Sequence, residues 1–198
     1  VVIIFFVGYF ADKLGQKAEH TLFLFLIGAF SIIFRYMDNF YLFLILFFFM
    51  GLFGISINTI ADAAVSDTFE NKKGFYLNIA HVFFGLGSLS SPIIFNFLFK
   101  TTKDFRSIYF ILFIISAVII FLITAARYPY VKDEAIKLSA ISNLLKNSKF
   151  IYLCVFAMLS AGSMHAVSSW IPTLFQKYLS ISSQVSNYSL SFFWISIV

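Results

Sequence analysis

Five long apolar runs separated by short polar segments constrain this chain more than any other feature. They fall near Thr21–Met37, Tyr41–Ser66, Phe75–Phe99, Ser107–Ala126 and Phe150–Gln176, with a shorter run at Val1–Phe10 and the start of another from Val185. Each of the five reaches the roughly 17–25 residues that a helix needs to cross the hydrocarbon of a bilayer. They are too long for barrel strands and lack the period-two alternation of a lipid-facing strand. A single span with a soluble head is excluded, because the runs recur along the whole length and the connecting segments hold nearly all the charge. The pattern predicts an all-α polytopic membrane protein. Composition agrees: 61% of residues are hydrophobic and 12% charged, where soluble domains have about 45–50% and 25%.

The chain opens inside an apolar run (Val1 to Val7), has no starting Met and closes inside another run (Ser189 to Val198), so it reads as part of a longer protein. The first run lacks the basic segment and small-residue cleavage site of a signal peptide and reads as the tail of a helix. The single Cys154 excludes an intrachain disulfide framework and argues against structural zinc. No metal cluster is visible in the sequence and no cofactor is expected; nor is nucleic acid, because the net charge of +5 belongs to membrane loops, where its distribution sets orientation. The 29 Phe residues read as lipid-facing bulk.

Three loops alternate on each side of the membrane. Ala11–His20, Asp67–Gly74 and Arg127–Lys149 carry nine Lys and Arg, against five in Arg35–Phe40, Lys100–Arg106 and Lys177–Gln184. The positive-inside rule puts the first set in the cytoplasm. Arg127–Lys149 reads as a linker with a short amphipathic interfacial helix over its Leu-Ser-Ala-Ile-Ser-Asn-Leu-Leu stretch.

The runs differ in polarity. Thr21–Phe34 and Ile108–Ile123 are almost purely apolar and are predicted to face lipid as scaffold. The others carry small and polar residues at helical spacing: Gly51, Gly54, Asn58 and Asp62; Asn78, His81, Gly85, Ser88, Pro92 and Asn96; and Met158, Ala161, His165, Ser169, Pro172 and Gln176, with Trp170 beside them. Much of this suits close helix packing, with the prolines as kinks whose freed carbonyls find neighbours. Ionisable groups are more than packing requires, because a charge in hydrocarbon costs several kcal/mol unless it faces protein or water. Asp62 and His81 flank the Asp67–Gly74 loop, each roughly 8–11 Å into the membrane at 1.5 Å per residue. Either they meet, or Asp62 simply reaches cytoplasmic water.

The segment Gly8-Tyr9-Phe10-Ala11-Asp12-Lys13-Leu14-Gly15-Gln16-Lys17 resembles the signature G-[YF]-x-[AS]-D-[RK]-x-G-x-[RK] between the second and third helices of the major facilitator superfamily. Gly8, Asp12, Lys13, Gly15 and Lys17 fill its defining positions. The resemblance implies a fold of two six-helix halves with a substrate cavity between them. Residues 1–126 would then be the first half from the end of its second helix, 127–149 the cytoplasmic linker, and 150–198 the start of the second half. Lys73–Ser88 is similar to the fifth helix of the fucose, glucose and galactose transporter group, approximately G-x-x-L-N-x-x-H-x-x-F-G-x-G. That group has an acid and an amide one turn apart in its fourth helix, and Asn58-Thr59-Ile60-Ala61-Asp62 holds the two in reversed order.

The expected function is secondary active transport of a small polar solute, in the resembling group a sugar, by alternating access coupled to protons or another cation. Asn58, Asn78, His81, His165, Ser169, Trp170 and Gln176 would bind the solute through amides, hydroxyls and an indole plane. Asp62, with His81 as a second candidate, would carry the proton. A monomer in the plasma membrane is expected, with the lipid bilayer as its surroundings. The alternatives are a multidrug or other metabolite transporter of the same superfamily, and a transporter-like sensor without net flux. An enzyme is not expected: no nucleophile and base are paired, since Cys154 and His165 lie about 16 Å apart along one helix.

Overall fold

The computed structural model describes residues 15–126, 128 and 145–196, and all of its regular secondary structure there is helical. Gly8, Asp12 and Lys13 of the signature, the Val1–Phe10 run and most of the linker lie outside the described residues. Six α-helices follow in order: α1 (Gln16–Tyr36), α2 (Phe40–Thr68), α3 (Lys73–Thr102), α4 (Ser107–Ala125), α5 (Ser148–Tyr178) and α6 (Ser183–Ile195), with a 3₁₀ turn at Glu70–Lys72 between α2 and α3. The first five are long and apolar enough to cross a membrane.

Their ends follow capping rules. The Asn39 side chain accepts the Leu42 N–H at 3.0 Å to start α2, and Asn147 does the same for Lys149 at the head of α5. Lys103 ends α3 in the left-handed region, φ 55°, with its N–H returned to the Phe99 carbonyl. Gly15, at φ 82°, precedes α1, a conformation that costs a residue with a Cβ about 1–3 kcal/mol.

The largest boundary difference from the sequence expectation is at the start of α1. The predicted loop Ala11–His20 ends at Gly15, and Gln16 to His20 form the first turn of α1. Glu19 sits in that turn, where the exposed N–H groups and helix dipole favour an acid.

The chain packs as two units. The described part of the first comprises residues 15–80, 98–126 and 128; that of the second, 81–97 and 145–196. In the first unit α1 packs on both α2 and α4. Gly28 lets α4 approach so closely that an added Cβ would lie 3.3 Å from the Ser116 Cβ. Ser31 and Ser116 are buried along these helices. The two runs expected to be pure lipid-facing scaffold therefore bury a face of their own. Nor is all the phenylalanine lipid-facing: Phe34 is 2% exposed and packs on Phe43 and Tyr109 with ring centroids 4.9 and 5.2 Å away, and Phe23 stacks on Phe53 at 5.4 Å. Offset aromatic contacts of this kind contribute about 0.5–1.5 kcal/mol each beyond burial.

In the second unit α5 packs on α6, and hydrogen bonds tie α6 to the C-terminal half of α3. Hydroxyls inside the helices are largely satisfied locally. Ser56, Thr59 and Ser116 each donate to the carbonyl four residues back, the usual way to keep a hydroxyl in an apolar helix. Pro92 removes one N–H from the α3 ladder, and the Ser91 hydroxyl donates at 3.2 Å to the Ser88 carbonyl that this frees. The predicted neighbour for that carbonyl is thus the adjacent serine.

Candidate functional site

The candidate solute and proton residues stand on three helices. In the first unit, α2 carries Asn58, exposed, and Asp62, half-buried, one turn apart, and the first turns of α3 carry Asn78, exposed. In the second, His81 on α3 and His165, Ser169 and Gln176 on α5 are exposed, as is Trp170 at 68%. Within neither unit does a hydrogen bond or ion pair join two of these side chains, among the described residues. They are polar groups presented on open faces of apolar helices, an arrangement that hydrocarbon disfavours and that water, solute or further protein accommodates.

The polar face predicted along Asn78, His81, Gly85, Ser88, Pro92 and Asn96 divides in two. Asn78 and His81 stay exposed, whereas Gly85, Pro92 and Asn96 are buried. Asn96 uses both ends of its amide: its Nδ2 donates to the Gln184 carbonyl at 3.1 Å, and its Oδ1 accepts from Asn187 Nδ2 at 2.9 Å. Seven residues earlier, the Leu89 carbonyl accepts from the Ser191 hydroxyl at 2.8 Å. Sequence reasoning missed Asn187 and Ser191. The recurrence of Ser183, Asn187 and Ser191 at steps of four is the signal that marks a polar face on α6.

A second constellation lies at the end of the first unit where α1 begins. Gln16 Nε2 donates to Asp67 Oδ2 at 2.7 Å, joining α1 to the end of α2. The Lys17 ammonium donates to the Thr124 and Ala126 carbonyls, both at 2.9 Å. Lys17, expected in a loop at the membrane surface, is thus a helical residue capping α4. Beside it His20, 7% exposed, meets the Tyr128 hydroxyl through Nδ1 at 2.8 Å. Burial raises the Tyr128 phenol above its ordinary value. Glu19 is buried at 1% exposure in the same turn. Gln16, His20 and Asp67 went unread in the sequence, because their partners lie 51 to 108 residues away.

No group of three or more His, Cys, Asp and Glu side chains suited to a metal occurs among the described residues. The family model for the Major Facilitator Superfamily matches residues 1–198. No curated protein and no solved structure matches the chain.

Proposed function

The chain belongs to the Major Facilitator Superfamily, an integral multi-pass membrane transporter family, and from that premise we propose that it moves a small polar solute, a sugar in the favoured reading, coupled to protons. The division into halves at 1–126 and 150–198 about a linker is part of this proposal, as are the monomeric state and the plasma membrane. Competing members of the superfamily are less well matched. Drug/proton antiporters carry an Arg in the fourth helix and a G-x-x-x-G-P-x-x-G-G run in the fifth, whereas 50–62 has no Arg and the sequence around Pro92 lacks those glycines.

The observation that carries the reading is Asp62, half-buried in the 29-residue apolar α2 one turn from an exposed Asn58. A carboxyl in such a helix is costly unless it exchanges with water or a partner. Closing a cavity over it would desolvate it, favour its protonated form and link proton occupancy to conformation. Asn58, Asn78, His81, His165, Ser169 and Gln176 supply the hydrogen-bonding groups that a hydroxylated solute needs, and Trp170 supplies a plane for its apolar face.

The test is uptake by the full-length protein in proteoliposomes with neutral hexoses, with and without an inward proton gradient. Gradient-driven accumulation by the wild type, lost in Asp62→Asn while solute exchange persists, is the expected result. Unchanged accumulation in Asp62→Asn removes Asp62 as the carrier. Binding without flux would favour a sensor.

A further inference from the structure

The seam between α1 and α4 has a second side, away from α2. On α1, Phe23, Phe30 and Phe34 meet α2 through Phe53 and Phe43. Phe25 and Ile32 lie roughly 160–180° around the helix from Phe23. There α1 and the neighbouring edge of α4 border two adjoining hollows of about 680 Å³ each. Phe25 and Ile120 line both, so the two make one trough along the helix seam. We propose that this trough binds an anionic glycerophospholipid, with its phosphate at Lys17 and one acyl chain lying between α1 and α4.

The shape and chemistry of the trough suit hydrocarbon. Gly28 brings α4 close, so the floor is made of small side chains, Ala29, Ser116 and Ala117. Phe25, Ile33 and Phe113 stand exposed along its rims. From Thr21 to Ile33 it runs about 18 Å along α1, close to the depth of one leaflet in a hydrocarbon core roughly 30 Å thick. The Ser116 hydroxyl is spent on the Leu112 carbonyl at 2.8 Å, and the Thr21 hydroxyl donates to the Lys17 carbonyl at 2.8 Å. Water and polar solutes therefore find little to hold them along the floor, whereas a slender apolar chain fills it.

Charge sits at one end. Among the described lining residues Lys17 is the charged one. Its ammonium gives two of its three donors to the Thr124 and Ala126 carbonyls, which leaves a third donor and the positive charge. The negative half-charge at the end of α4 and the positive half-charge at the start of α1 offset one another there. Neither Glu19 nor Asp67 lines the hollow, and no carboxylate pairs with Lys17 among the described residues. A phosphate complements that charge. Lys17 also belongs to the Lys- and Arg-rich set of loops, which the charge count assigns to the cytoplasm, and anionic lipids are concentrated in the cytoplasmic leaflet.

The test incubates the full-length protein in mild detergent with equal amounts of phosphatidylglycerol and phosphatidylcholine of the same chain length, and counts retained lipid by native mass spectrometry. The wild type should prefer phosphatidylglycerol about fivefold, the effect of one cation at the membrane surface; equal retention overturns the site. Lys17→Met should bring the preference close to one and Lys17→Arg should keep it, and an unchanged preference in Lys17→Met overturns the headgroup contact. Ala117→Phe fills the floor and leaves Lys17 in place, so it tests the site even where Lys17→Met fails to fold. It should lower phosphatidylglycerol retention severalfold, and unchanged retention overturns the trough. Lys72→Met, in another loop of the same set and outside the trough, should leave the preference as it was; an equal loss there reduces the effect to general surface charge and overturns the site. Recovery of a lipid-free dimer that Ala117→Phe splits also overturns it, giving the face to a second copy of the chain.

Discussion

The ammonium of Lys17, on the first turn of α1, donates a 2.9 Å hydrogen bond to the Thr124 carbonyl in the last turn of α4. A second bond reaches the Ala126 carbonyl just beyond it. The last carbonyls of a helix lack N–H partners and carry the negative end of its dipole, so a cation there satisfies both needs. Lys17→Met should destabilise the first unit by about 0.5–1.5 kcal/mol, measured as a lower Tm in detergent. Lys17→Arg, which keeps the charge and the donors, should recover most of the loss.

Tyr128 and His20 make a pH-dependent contact. Burial raises the phenol's folded pKa, so its contribution to stability is fully present below about pH 10, the ordinary tyrosine value, and is lost as pH rises through the folded value. An alkaline melting series should show a stability loss in that window, and Tyr128→Phe should abolish that component. At neutral pH Tyr128→Phe should cost about 0.5–1.5 kcal/mol for the lost bond to Nδ1.

Gly15 is held by backbone conformation, not by space. An added Cβ would meet nothing within 4 Å, yet φ is +82°. Gly15→Ala should therefore destabilise by about 1–3 kcal/mol through strain alone. Thermal unfolding would show a loss that no repacking of neighbours relieves. If Gly15→Ala melts with the wild type, the strain argument is wrong.

Gly28 is the opposite case, a glycine required by close approach. Its helical backbone accepts any residue, but a Cβ would sit 3.3 Å from the Ser116 Cβ. Gly28→Ala should be tolerated with a small shift, whereas Gly28→Leu should cost about 1–3 kcal/mol or more by forcing α1 from α4. Melting of the two variants side by side checks the contrast, and Gly28→Leu as stable as Gly28→Ala would sink it.

Asp62 and Asn58 were legible in the sequence because an apolar run leaves a polar side chain nowhere to hide. Asn96 stood out for the same reason, but its partners did not. A hydrogen bond to Asn187, 91 residues away, leaves no trace in local spacing. Phe34 shows the converse limit: apolarity placed it in a span, while hydropathy alone cannot tell a side that meets lipid from one that meets Phe43 and Tyr109.

The sequence alone determined that this chain forms helices long enough to cross a bilayer, roughly where they begin and end, and to which family its signature segment points. Those properties rest on hydrophobic length, capping residues and a contiguous motif, all local along the chain. Only the tertiary structure decided that Lys17 caps α4, that α1 and α4 bury a face between Gly28 and Ser116, and that the C-terminal part of the α3 polar face closes on α6. In a membrane the helix interface and the lipid are equally apolar, so burial leaves little pattern to read, and pairing is decided by shape and a few distant hydrogen bonds.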